Sequence, residues 1–273
     1  MKKQIILLFV TFSSLSALAQ SAHEFSVYAG GGLSTLNYSL REGNRNDGRG
    51  GDFGLGYTYF FHKQWGINTG LGLAFYNAKA VLNNGTVVIT PNLQDNEGDT
   101  FDMYSTLDGY EEKQNTMFLN IPVMLQYQTN KTNKFYALGG VKIGIPLSGS
   151  YQITGATITN KGYYPKYDNW LTTQQFMGFG VFENQKPGGD LDLKVSFMLS
   201  AEAGMKWAIG NNLRLYTGLY VDYGLNDIVR AHNKPVVNYS ADAPENISIN
   251  SALESLSGKV SNRMVGVKIK LAI

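Results

Sequence analysis

Three histidines, one acidic run and a band of aromatic residues are the groups in this 273-residue chain suited to catalysis, metal binding or ligand stacking. A lipid-deacylating or acyl-transferring site needs a histidine beside a serine or an acid. His23 precedes the first patterned segment, His62 lies in a short turn, and His232 is followed by Asn233 and Lys234 with no serine nucleophile beside it. Each reads as a solvated histidine, so no catalytic residue is expected. Asp95, Glu97, Asp99 and Asp102 bring oxygen ligands together, but their spacing does not match a calcium-binding EF-hand loop and reads as a solvated loop. The chain has no cysteine, which excludes disulfides, thiolate metal sites and cysteine nucleophiles. No metal and no cofactor is expected.

The aromatic band is denser than solubility requires. Tyr163, Tyr164, Tyr167 and Trp170 are followed by Phe176, Phe179 and Phe182. Such a patch marks a recognition surface for a glycan or a protein, or a set of rings that pack on one another as a cap. Both readings stand at this point.

The elements that position these groups follow from periodicity. Eight segments place apolar side chains at odd positions and polar, charged or small ones between, the two-residue period of a strand with one greasy face. They run at about 24–38, 51–61, 64–81, 115–128, 134–151, 191–207, 212–226 and 259–273. In the sixth, Leu191, Leu193, Val195, Phe197, Leu199 and Ala201 alternate with Asp192, Lys194, Ser196, Met198 and Ser200. The connections alternate too. Tight turns at 62–64, 129–133 and 210–211 contrast with long connections at 39–50, 82–114, 152–190 and 227–258. Short turns at one end and long loops at the other are the pattern of a membrane barrel, with the long loops outside and both termini in the periplasm. The predicted fold is all-β: an eight-stranded antiparallel up-and-down transmembrane β-barrel with four long extracellular loops. Trp65, Tyr127, Phe135 and Trp207 fall beside the short turns, where a periplasmic aromatic girdle belongs.

The N-terminus reads as an export signal, with Lys2 and Lys3, an apolar run from Ile5 to Val10, and Ala17-Leu18-Ala19 before a cleavage point. The expected division is a signal peptide at 1–19 and a barrel domain at 20–273. Removing Lys2 and Lys3 lowers the basic count from 23 to 21 against 21 acids. A neutral mature chain argues against a nucleic-acid partner.

The segment Leu119-Asn120-Ile121-Pro122-Val123-Met124-Leu125-Gln126-Tyr127 resembles a strand of the small outer-membrane β-barrel proteins of Bacteroidota, the porin-family or PorT-family proteins. Phe135-Tyr136-Ala137-Leu138-Gly139-Gly140-Val141 is similar to that family's next strand, and Gly266 to Leu271 to its closing one. The resemblance spans the mature chain and implies a fold and an outer-membrane location. Its implied partners are outer-membrane lipid, lipopolysaccharide and the barrel-assembly machinery.

Even-numbered positions then face the lumen. They carry near-balanced charge, and an eight-strand barrel is only just wide enough for its own side chains. Buried charges must pair, so Glu202, Asp222, Arg214, Lys142 and Lys206 are expected to form an ion-pair network that fills the lumen. Pro122 falls inward, which predicts a bulge or a local loss of a ladder bond. The expected function is a non-enzymatic outer-membrane barrel whose loops recognise or shield. A narrow channel for small solutes is the alternative, and a lipid-modifying enzyme is a third reading.

Overall fold

In a computed structural model, residues 22–210 and 212–273 are described. The export segment lies outside them. The strands are β1 (His23–Asn37), β2 (Gly43–Tyr59), β3 (Trp65–Leu82), β4 (Thr86–Gln94), β5 (Thr100–Gln128), β6 (Lys134–Tyr164) and β7 (Asn169–Leu171). They continue with β8 (Gly180–Gln185), β9 (Gly188–Asp190), β10 (Ser196–Ala208), β11 (Arg214–Gly224), β12 (Val237–Asn238), β13 (Ser248–Ile249) and β14 (Ser261–Ala272). One short helix, α1 (Ala252–Ser255), precedes β14.

Eight of these strands pair antiparallel in a ring, each with its neighbours in the meander: β1, β2, β3, β5, β6, β10, β11, β14 and back to β1. Their phase is the predicted one. Odd-numbered Leu33, Leu55, Val267 and Leu219 point out, the last two 60% and 67% exposed, while even-numbered side chains such as Lys268, Asp222 and Tyr136 are buried. A continuous outer surface of apolar side chains with charges inside is stable only where lipid, not water, is the outer solvent. Glycine spacing helps fill the interior. A Cβ on Gly72 would sit 2.0 Å from the hydroxyl of Tyr28, and one on Gly54 2.9 Å from it, so both glycines make room for that ring.

Strand lengths depart from the sequence reading at the loop end. β5 and β6 run 29 and 31 residues, far beyond the segments 115–128 and 134–151 that alternation marked. Much of the connection at 152–190 is therefore strand, as is most of that at 82–114, where β4 pairs with the outer half of β5. The expected long loop at 39–50 is also corrected: β2 begins at Gly43, leaving only 38–42 between strands. The sixth strand starts later than predicted. Leu191 and Leu193 precede β10 and are buried in the barrel mouth, not turned to lipid.

The extended strands form a second body above the barrel, and side-chain phase changes on entering it. On β5 the inward residues are Phe118, Thr116, Gln114, Glu112 and Tyr110, then Leu107, Ser105, Met103 and Phe101. The switch from even to odd coincides with an irregularity between Asp108 and Glu111, where Gly109 has φ +65°. One extra residue in a strand moves every later side chain to the other face. Pro122 behaves as one of its two predicted alternatives: pairing of β3 with β5 skips Ile121 and Pro122 while the register on either side is kept.

Candidate functional site

The lumen is crossed by charge contacts at three levels. Near the periplasmic end, Lys206 Nζ lies 2.5 Å from Glu24 and donates to Gln128 at 3.2 Å, and the Tyr216 hydroxyl donates to the same glutamate. In the middle, Glu202 lies 3.3 Å from Lys270 and 3.7 Å from Lys268, accepts the Tyr136 hydroxyl at 2.9 Å, and Lys268 reaches Asp52 at 2.9 Å. Above them, Lys142 donates to both oxygens of Asp222 at 2.8 and 2.9 Å, and Ser200 donates to Asp222 at 2.6 Å. Four lysines thus face four carboxylates. Tyrosine rings occupy the space between: Lys268 stands 4.2 Å from the Tyr220 ring centre and 4.7 Å from that of Tyr28.

Of the five predicted network residues, Glu202, Asp222, Lys142 and Lys206 lie in this interior. Arg214 does not join them. It is the first residue of β11, and its guanidinium donates to the turn carbonyls of Gly210 and Leu213. Asp52, Glu24, Lys268 and Lys270 complete the network, and all were visible as inward even positions. The filler tyrosines were missed, although Tyr28, Tyr136, Tyr216 and Tyr220 share the same even phase.

Above the barrel, segment 227–258 folds over the mouth and is held by two buried carboxylates. Glu112 accepts Ser251 Oγ at 2.5 Å, the backbone N–H of Ala252 at 2.8 Å, Gln114 at 2.7 Å and the Tyr110 hydroxyl. It thereby occupies the N-terminus of α1, where free N–H groups favour an acceptor. Burial pushes its carboxyl above the ordinary value against the pull of those four donors. Glu254, also buried, accepts Lys234 at 2.8 Å and the N–H of Asp192 at 2.9 Å. Val236, Val237, Ile249 and Ala252 then close an apolar core with Phe101, Met103, Leu107 and Ile158.

The aromatic band divides. Phe179 and Tyr164 are buried in that core, Phe101 stacking at 5.2 Å on Tyr164 and meeting Phe179 edge-on at 5.3 Å, so for these two the self-packed reading applies and not the recognition surface. Phe182 packs against the same core from its edge. Tyr167, Trp170 and Phe176 are exposed, Phe176 to 72%. Trp170 contacts half-buried Tyr163 at 4.9 Å and Tyr104 at 5.0 Å, making a three-ring patch on the outer face. At the other end of the molecule, Trp65 and Tyr127 meet at 5.0 Å, and Phe135 and Trp207 face outward beside the other short turns.

The remaining chemistry-bearing residues serve structure. Asp95 accepts the N–H groups of Glu97 and Asp99 and the Tyr164 hydroxyl, which shapes the β4–β5 turn. Hydrogen bonds from Lys166 and Tyr167 hold the Asp99 carboxyl below its usual range. His232 lies 2.8 Å from Asp227, and His23 2.7 Å from the Tyr57 hydroxyl. Among the described residues no group of three histidine, aspartate or glutamate side chains is arranged to hold a metal.

A ring of antiparallel strands with an aliphatic exterior and a paired, charged interior defines an integral β-barrel of the outer membrane. Residues 18–230 match the family described as outer membrane protein beta-barrel domain, and the chain belongs to that family. No curated protein matches it. Solved structures similar to it include OprG from Pseudomonas aeruginosa (16% identity, 92% of this chain and 96% of that one, TM-score 0.38). Neisserial surface protein A follows with 9% identity, the same coverages and a TM-score of 0.35. Ail of Yersinia pestis has 12% identity, 91% and 99% coverage and a TM-score of 0.28. Likenesses this distant add nothing to the family assignment.

Proposed function

We propose that the protein is a sealed, non-enzymatic outer-membrane barrel that holds a folded extracellular body at the cell surface for recognition or shielding. The occluded lumen carries this reading. The cavity that Tyr28, Asn68, Met124, Glu202 and Lys268 line within the lumen has a volume of about 20 Å³, room for roughly one water molecule. Opening a path would separate buried pairs, at several kcal/mol each. Purified, refolded protein in planar bilayers tests it, and the expected trace is flat. Discrete openings at neutral pH would overturn the sealed lumen and favour the narrow channel.

The three rings of Tyr104, Tyr163 and Trp170, with exposed Tyr167 and Phe176 nearby in sequence, support a glycan or protein ligand, since flat rings stack on sugar faces and anchor interfaces. Trp170→Ala with Tyr104→Ala should leave assembly intact and abolish cell-surface binding to a glycan array; undiminished binding would remove the recognition role. His232 has an acid beside it, Asp227, but among the described residues neither His232 nor His23 has a serine as a hydrogen-bond partner, which supports the non-enzymatic reading. Export with cleavage after Ala19, delivery by the barrel-assembly machinery, and placement in the PorT-like branch of Bacteroidota belong to the same reading. They are supported by the N-terminal pattern and by the strand from Leu119 to Tyr127.

A further inference from the structure

The sheet above the barrel ends in β4 on one side and in β7, β8 and β9, ranged along β6, on the other. These two edges are built differently. On β8 the side-chain amides of Gln175 and Gln185 donate to the carbonyls of Val181 and Glu183 at 2.9 and 3.1 Å, and Glu183 adds a charge. Charges and occupied carbonyls of this kind keep another chain from pairing there. β4 carries neither. It opens with five β-branched residues in a row, Thr86-Val87-Val88-Ile89-Thr90, and has no charged side chain between Thr86 and Gln94. Among the described residues, no backbone group of Val87, Val88, Ile89 or Thr90 has a backbone partner outside the ladder with β5.

The side chains of β4 also lack a neighbour on both faces. On the inner face Val88, Thr90 and Leu93 are only half-buried, whereas Leu107, Ser105, Met103 and Phe101 on the adjoining strand are buried. On the outer face Val87 and Ile89 are 50% and 52% exposed. The space beside them lies in line with β2. That strand begins at Gly43, opposite Leu82, so beyond this height the course of β3 continues as β4 while that of β2 has no counterpart. The preceding segment leaves the line, Leu40 bridging to Ser257 and packing on the core. Pro91 and the register shift between Thr90 and Leu93 close the slot at its far end.

We infer that Thr86–Thr90 is a docking edge for an extended polypeptide segment of a partner protein, which adds antiparallel to β4 as a further strand of the sheet. Free N–H and C=O groups along a strand edge are matched in spacing by another strand, and the β-branched row suits an uncharged segment with small apolar side chains. A second copy in the same membrane does not fit. Both copies run β4 away from the bilayer, so rotation about the membrane normal sets each N–H level with its twin's N–H and not with a carbonyl. The inference rests on the recognition reading and deepens it, because the edge adds backbone pairing beside Tyr104, which stands opposite Ile89.

The probe is a capped, fluorophore-labelled peptide, Ser-Thr-Val-Thr-Val-Thr-Ser, titrated into refolded full-length protein in detergent, with amide exchange followed by mass spectrometry. The peptide should bind saturably and slow exchange across 86–90 while leaving 180–185 unchanged. The same peptide N-methylated at every valine and threonine keeps its side chains but loses its strand donors, and should bind at least about tenfold more weakly. Val87→Lys with Ile89→Lys, two exposed positions, should weaken binding of the unmethylated peptide by at least about as much. Trp170→Ala with Tyr104→Ala should leave it in place. Heat-dependent gel mobility confirms that each variant is folded. Absence of saturable binding, protection that falls outside 86–90, or equal binding of the methylated peptide overturns the docking edge. A dimer of the unliganded protein that the double lysine variant dissociates would assign the edge to a second copy and overturn the partner strand. Loss of peptide binding in the ring variant alone would overturn the edge and keep the aromatic patch, whereas peptide binding at 86–90 with no glycan bound by the protein would keep the edge and remove the glycan role of the rings.

Discussion

Below Gly109 the interior of this molecule is made of Lys268, Asp52, Glu202, Lys142 and Asp222 with tyrosine rings between them; above it, of Phe101, Met103, Leu107, Ile158 and Phe179. The same two strands, β5 and β6, wall both spaces. What changes is the outer solvent. In the lower zone lipid takes the apolar side of each strand, so the polar side is turned inward and its charges must neutralise one another. In the upper zone water surrounds the body and the apolar side turns in, as in any soluble sheet. The bulge at Gly109 lets one strand serve both solvents, because a single extra residue exchanges its faces.

Deleting Gly109 is the most damaging way to break this arrangement. The outer half of β5 would turn Phe101, Met103 and Leu107 to water, losing about 6 kcal/mol or more at about 2 kcal/mol for each large apolar side chain. Limited proteolysis should then remove the extracellular body while the barrel keeps its heat-dependent gel mobility. An intact extracellular body would show that the phase change is not what builds it. The matching lesion below is Lys268→Met, which leaves Asp52 without its lysine and Glu202 with Lys270 alone. Removing one partner from a buried pair costs about 3–5 kcal/mol, to be read as urea unfolding in lipid vesicles. A loss below about 1 kcal/mol would mean that water reaches the lumen charges, and would count against the seal.

The contrast also explains which parts of the fold were legible in the sequence. Lipid imposes an unbroken two-residue rhythm, so the eight segments and three tight turns could be read from Leu55, Leu71, Leu125 and their like. Above the membrane the rhythm survives but changes phase, and each bulge resembles the end of a strand. On β5 the apolar outer face already gives out at Lys113 and Glu111, so the strand was seen from 115 and not from Thr100. Leu191 and Leu193 fit the rhythm yet precede the strand, so their inward burial was hidden. Glu112 was assigned to a loop, although continuing the even phase of Phe118, Thr116 and Gln114 by one step reaches it. Arg214 was misassigned because phase gives a direction and not a height: at the edge of β11 an inward residue meets the turn, not the lumen.

Glu112 sharpens the comparison at the junction of the two regions. Glu112→Gln keeps the size of the side chain but sets an amide N–H against groups that themselves donate, and should loosen segment 227–258 by about 1–3 kcal/mol. Amide exchange at 252–256 measures it. The wild-type latch also has a pH sign. Because burial raises the Glu112 carboxyl in the folded protein, its contribution is complete below the ordinary carboxyl range. It declines as pH rises through the raised value. Asp227, at the base of the same segment, works oppositely: burial is outweighed by the N–H of Val260, His232 and the N–H of Val229, its carboxyl is held low, and its contribution fades only as the solution becomes acidic. Exchange at 252–256, corrected for its intrinsic pH dependence, should therefore quicken from pH 4 toward neutrality in wild type and lose that trend in Glu112→Gln. A trend that survives the substitution would assign the pH response to another group.

Arg214→Ala is the smallest expected effect and the sharpest test of where the lumen network stops. Among the described residues its guanidinium bonds only to carbonyls in its own turn, at 2.8 and 3.1 Å. Neutral acceptors in a solvated turn readily exchange their partner for water, so unfolding stability should fall by no more than about 0.5–1 kcal/mol. Lys206→Met, the next inward cation along the lumen, should cost several times more, because Glu24 would lose its only lysine within 4 Å among the described residues. Equal losses from the two substitutions would extend the network into the turn and place the boundary between sealed interior and periplasm below Arg214.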